Sequence, residues 1–205
     1  MLDKSVPYIG VIMIKTTKEY PDFQLPRGYR FHMYEPGDEL KWAELEASVD
    51  EFPDEMEAST LFEKVYMPRQ AELPEKLVFI TGNDTFAATG TMLDGTHFGP
   101  VLPRVHWVSV HPDHQGRGLA KCLMTRLLDI HGSIDQRYPV YLTTQTWSYK
   151  AVNIYKNFGF EPYTGEMPEG WEPRGKSFQE DNKKAWDLID RKIREYTVEK
   201  ESGKH

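Results

Sequence analysis

The sequence predicts an α/β protein: a mixed, twisted sheet flanked by helices. Three observations carry that expectation. Runs of β-branched and aromatic residues alternate along the chain with stretches of helical spacing. LVFITGNDTFAATGTM (77–92) reads as two strands around the turn Gly82-Asn83-Asp84. HPDHQGRGLAK (111–121) sets a glycine-rich, basic turn between the strand RVHWVSV (104–110) and the apolar helical run LMTRLLDI (123–130).

The elements follow in order. PYIGVIMI (7–14) is a strand, and Pro21 to Gly28 is a connector. YRFHMY (29–34) is a second strand. The turn Pro36-Gly37-Asp38 offers Asp38 as a helix cap. Leu40, Ala43, Ala47 and Val49 then recur at roughly helical spacing, and a second helix covers 55–66. After the hairpin and the strand 104–110, the residues Leu119, Ala120, Leu123, Met124, Leu127 and Leu128 form an apolar helical stripe. PVYLTT (139–144) is a strand, and SYKAVNIYKNFG (148–159) is a short helix stopped by Gly159. FEPYTGEM (160–167) offers one more strand. Ser177 and Glu180 make a capping box. The stripe Ala185, Trp186, Ile189, Ile193, Tyr196 marks a last amphipathic helix, with a frayed polar tail over 197–205. No internal repeat or low-complexity block interrupts the chain.

Composition narrows the function. The chain has 205 residues, 39% of them hydrophobic and 28% charged, as in a soluble globular domain. A net charge of −7 argues against a nucleic-acid partner. The single cysteine, Cys122, excludes an internal disulfide and fits a reducing cytoplasm. VPYIGVIMI (6–14) is too short to span a bilayer and lacks the flanks of a signal peptide, so no membrane partner is expected.

The turn at 111–121 raises the sharpest question. The first turn of a helix exposes unpaired N–H groups, and with the helix dipole they form an anion site. Gly116 and Gly118 let a backbone approach closely, while Arg117 and Lys121 add charge and Gln115 a polar group. The plainer reading is a strand-to-helix turn with glycines for geometry alone. Two phosphate loops fail the test. Lys121 is followed by Cys122, not Ser or Thr, and the third glycine of a dinucleotide fingerprint is replaced by Lys121.

A third pattern fits. Gln115-Gly116-Arg117-Gly118-Leu119-Ala120 resembles the Gln/Arg-x-x-Gly-x-Gly/Ala signature of the GCN5-related N-acetyltransferases, the GNAT family. TQTWSYKAVNIYKNFGFEP (144–162) resembles the family's second motif, with Ala151, Tyr155, Gly159 and Phe160 in its places and Ser148 where many members carry Asn. The resemblance covers residues 29–167 and implies a GNAT-like fold there. Residues 1–28 are expected to pack on that core, and 168–205 to add a loop, a helix and a tail. The family usually closes with two strands after the Tyr-bearing helix. Here GWEPRGK (170–176) leads into a helix, and PYIGVIMI is expected to serve one sheet edge instead.

The resemblance implies an enzyme, an acetyl-coenzyme A-dependent N-acetyltransferase acting on a small-molecule or peptide amine as a monomer or homodimer. No metal is implied. The alternative is a non-catalytic acyl-coenzyme A sensor on the same fold. The loop Gln115, Gly116, Arg117, Gly118, Leu119, Ala120, Lys121 would hold the pyrophosphate. Backbone groups of Val108, Ser109 and Val110 would pair with the pantetheine arm and polarise the acyl carbonyl. Tyr155 matches the general acid for the leaving thiolate; its plainer reading is a core aromatic. Ser148 either touches the cofactor or caps its helix.

The attacking amine must first lose a proton. His106 is the candidate base, expected by alternation to share a face with Arg104, Val108 and Val110. Arg104 would help keep it neutral. His111, Asp113 and His114 have metal-like spacing but sit in a turn without further ligands. Cys122 reads as packing. Asp50, Glu51, Asp54, Glu55 and Glu57 read as a solvated face, although in this fold that region often borders the acceptor.

Overall fold

The computed structural model describes residues 2–83 and 85–203. Asp84 of the expected hairpin turn, and Lys204 and His205 of the expected tail, lie outside the described residues. The strands and helices run β1 (Gly10–Lys15), β2 (Tyr29–Met33), α1 (Glu39–Ser48), α2 (Glu55–Val65), α3 (Leu73–Lys76), β3 (Leu77–Gly82), β4 (Thr85–Gly95), β5 (Leu102–Val110), α4 (Leu119–Ile134), β6 (Val140–Gln145), α5 (Tyr149–Asn157), β7 (Glu161–Pro162) and α6 (Phe178–Ser202). The class is α/β, mixed sheet with flanking helices. The chain divides into two compact units.

The first unit takes Pro21–Leu93 and Val105–Gln136. Its strands lie in the order β2-β3-β4-β5. β3 pairs antiparallel with β2, Phe31 opposite Ile80, and with β4, Phe79 opposite Thr89. LVFITG is buried along its whole length, as a strand covered on both faces must be. Alternation then splits it: Leu77 and Phe79 join a core with Trp42, Leu45, Phe62 and Tyr66. On the other face Gly90 of β4 admits α4 closely. A Cβ there would stand 3.0 Å from Leu127 and 3.2 Å from Leu123.

Of the apolar residues expected to line α1, Ala43 is buried, but Leu40 is not. Leu40 is 66% exposed, whereas Trp42, Leu45, Glu46 and Val49 are buried. That is an i, i+3, i+4, i+7 stripe. Asp38 precedes α1 but makes no side-chain cap. Its carboxylate instead takes His32 Nε2 at 2.8 Å and the Glu35 N–H at 2.9 Å. Asp54 does cap α2, accepting from Glu57 N at 2.9 Å.

The second unit takes Asp3–Tyr20, Asp94–Arg104 and the chain from Arg137 onward. Its strand order is β6-β1-β7. β1 therefore lies between two antiparallel partners, Met13 opposite Leu142 and also opposite Pro162, rather than at an edge. The expected strand over 160–167 shrinks to the two residues of β7. Ser177 caps α6, taking the Glu180 N–H at 3.2 Å. The helix runs on to Ser202, so the residues 197–202 expected to fray are helical. No helix among the described residues is long and apolar enough to cross a membrane.

Candidate functional site

In the first unit, β5 delivers the chain to the glycine turn. Trp107, inside the strand, has a φ of 47°. A left-handed residue interrupts the extended ladder, as in a bulge. Strict alternation fails at that point. His106 and Trp107 are consecutive, yet both reach one aromatic cluster. The His106 and Trp107 rings stand edge-on to Tyr66 and Trp42, with centroids 5.9 Å apart in each case. His106 Nδ1 is hydrogen-bonded to the Tyr66 hydroxyl at 3.1 Å, and that hydroxyl to Thr91 Oγ1 at 3.2 Å. Phe52, in the α1–α2 connection, lies over Trp107 at 5.1 Å.

Beyond the bulge, Ser109 points to α1. Its hydroxyl donates to Glu46 Oε2 at 2.9 Å. Glu46 is wholly buried, and its Oε1 has no partner. Burial pushes the carboxyl up to about 8, with the Glu51 charge adding to it and the Ser109 bond opposing. Sequence reading missed this residue. The signal was there: an acid in the i+4 slot of a stripe begun by Trp42 and continued by Leu45 and Val49.

The turn itself has the geometry of an anion cradle. Gly116 and Gly118 have φ of 76° and 83°, and a Cβ on either would meet nothing within 4 Å. Gly118 starts α4, and no side chain caps that terminus. The space above the helix end is thus open and lined by backbone donors. A pyrophosphate fits these residues. The side chains expected there are partly committed elsewhere. Gln115 Nε2 donates to Val110 O at 3.0 Å, Arg117 Nη2 to Asp113 O at 3.2 Å, and Lys121 Nζ sits 5.1 Å over Phe23. Leu119 is buried in the core, so only its backbone can face a ligand.

His114 Nδ1 bonds the Tyr29 hydroxyl at 2.9 Å. Its imidazole is held below the ordinary histidine range by burial, then by Arg117 and His111. Among the described residues no group of His, Cys, Asp and Glu is placed to hold a metal. Cys122 is buried, donates to Gln24 O at 3.2 Å, and its thiol is pushed up by burial.

In the second unit, Tyr155 is 7% exposed on α5, its ring edge-on to Phe160 at 6.4 Å. Ser148 precedes α5 but makes no side-chain cap, so the capping alternative is not realised. Arg104 donates to Thr143 Oγ1 and lies 5.9 Å over Tyr141. Tyr141 in turn bonds His97 Nδ1 at 2.9 Å.

Residues 75–162 match the Acetyltransferase (GNAT) domain. Over 53 residues the chain is 36% identical to a spermidine N(1)-acetyltransferase of Vibrio cholerae, covering 26% of this chain and 31% of that protein. Over 65 residues it is 35% identical to an uncharacterized protein of Mycobacterium leprae, covering 32% and 17%. The chain thus spans less than a third of the length of these curated relatives. A GCN5-related N-acetyltransferase from Sphaerobacter thermophilus shares the fold, with a TM-score of 0.61 at 19% identity over 76% of this chain and 49% of that one.

Proposed function

Because this chain belongs to the GNAT acetyltransferase family, we propose that it carries an acetyl group from acetyl-coenzyme A to a primary amine by direct transfer. The supporting observation is the turn 115–121, with two left-handed glycines, open space above them and an uncapped helix start. Acetyl-coenzyme A supplies an activated acyl group. Beyond the bulge at Trp107, backbone groups of Val108–Val110 on β5 pair with the extended arm and polarise the acyl carbonyl, as the resemblance implies. Ser148 is assigned to co-substrate binding by its place in the second motif alone. Tyr155 gives a proton to the departing thiolate, in keeping with its place in the second motif.

The acceptor arrives as an ammonium and must shed a proton before it can attack. Two titratable side chains flank the bulge of β5, His106 and Glu46. The acceptor is a small-molecule or peptide amine, and the partial likeness to a spermidine acetyltransferase makes polyamines the first class to try.

The test is a panel of spermidine, 2-phenylethylamine and a short peptide, read by free thiol release from acetyl-coenzyme A. Release that depends on an added amine supports the enzyme. Tight acetyl-coenzyme A binding without release from any amine points to a sensor instead.

A further inference from the structure

We infer that Glu46, working through the Ser109 hydroxyl, takes the proton that the acceptor amine must lose. This rests on the proposed transfer. It starts from polar groups that the folded chain buries without partners. Glu46 Oε1, Trp42 Nε1 and Trp107 Nε1 are all buried and unpartnered. Native proteins leave few such groups, because each forfeits its bonds to water. These three gather in one place. Trp42 and Glu46 are one turn apart on α1, and Trp107 and Ser109 are two apart on β5. The elements meet through the Trp42–Trp107 ring contact and the Ser109–Glu46 bond. A structure-only carboxyl in this core would be better replaced by a leucine.

The surroundings suit a proton acceptor. Ser109 faces Glu46 from β5, and the Glu51 carboxylate faces it from the α1–α2 connection, where Glu51 N bonds Glu46 O at 3.3 Å. Tyr66 and His106 stand in the adjoining aromatic cluster and are bonded to each other. Among the described residues no lysine or arginine forms a salt bridge with Glu46. Burial raises its proton affinity to near the working pH, where a general base is most effective.

The step balances. One N–H bond of the ammonium breaks, and its proton goes to Ser109 Oγ. The Ser109 proton passes to Glu46 Oε2, and the amine keeps the electron pair. An ammonium and a carboxylate become an amine and a carboxylic acid. The coenzyme thiolate takes its proton from Tyr155, the second amine proton makes up that loss, and Glu46 returns its own to solvent.

The test compares kcat/KM against pH for wild type, Glu46→Gln, Ser109→Ala and His106→Gln with the panel amine that wild type uses fastest. Glutamine keeps the shape of Glu46 and can still accept from Ser109. Wild type should rise to a plateau through about pH 8. Glu46→Gln should fall about 100-fold and lose that rise, with acetyl-coenzyme A affinity unchanged. Ser109→Ala should slow and shift the rise to higher pH, because the bond that lowers Glu46 is gone. His106→Gln should keep the rise. A Glu46→Gln profile that overlays wild type, or a rise lost in His106→Gln instead, overturns the inference and leaves the transfer reading intact. Wild type that acetylates no amine overturns both. Should Glu46→Gln fail to fold, Glu46→Asp and Ser109→Ala decide: unaltered profiles in both overturn the inference.

Discussion

Trp107 stands edge-on to Trp42, ring centroids 5.9 Å apart, from a backbone φ of 47°. The contact fixes an indole in the first unit's core at the cost of a left-handed residue inside a strand. Such a conformation costs an L-residue about 1–2 kcal/mol, and glycine nearly nothing. Trp107→Gly should therefore be more stable than Trp107→Ala by about 1 kcal/mol, the reverse of the usual strand preference. Urea unfolding of both variants measures this. An alanine variant at least as stable as the glycine one removes the bulge from the account.

Gly118→Asp should abolish acetyl-coenzyme A binding. The position has a φ of 83° and open space where a Cβ would be, so the new carboxylate lands in the cradle. Calorimetry on the folded variant checks it. Unchanged affinity would place the phosphates elsewhere.

Tyr155→Phe keeps the ring on α5 and deletes one hydroxyl, so stability should barely change. Turnover should fall about 100-fold if the hydroxyl is the proton donor. Near wild-type turnover, with chemistry rate-limiting, would return Tyr155 to packing.

Glu46 makes stability depend on pH. Its carboxyl is raised in the folded chain, from the ordinary 4.5 to about 8. Between those values the native state holds a proton that the unfolded chain has released. Stability then falls as pH rises across this window and levels off above it. The difference between wild type and Glu46→Gln isolates this from other groups, notably His114, whose lowered affinity acts in the opposite direction. Denaturant midpoints at pH 5, 7 and 9 should show Glu46→Gln gaining on wild type at each step. A constant difference would mean the carboxyl is not shifted.

The fold was legible where physics is local. LVFITG reads as a strand, Gly159 as a stop with φ of 81°, and Ser177 as a cap, because each depends on a few neighbouring residues. The glycine turn was legible for the same reason. What escaped depends on tertiary partners. Nothing in RVHWVSV announces a left-handed tryptophan; that follows from the packing around Trp42. Asp38 looks like a cap but is claimed by His32. Glu46 looks like a surface acid until Trp42, Leu45 and Val49 set the buried face of α1.

The place of β1 has a consequence for synthesis. Its hydrogen-bonded partners lie far along the chain: Lys15 faces Val140, Gly10 faces Gln145, and Met13 faces Pro162. A ribosome adding about 5–20 residues per second needs on the order of ten seconds between them. Through that interval GVIMIK, apolar and β-prone, emerges with both of its edges bare. The second unit is thus a late-closing one, and a nascent chain arrested before Val140 should expose residues 10–15 to protease and to chaperones. Arrest after Pro162 has cleared the exit tunnel should shield them.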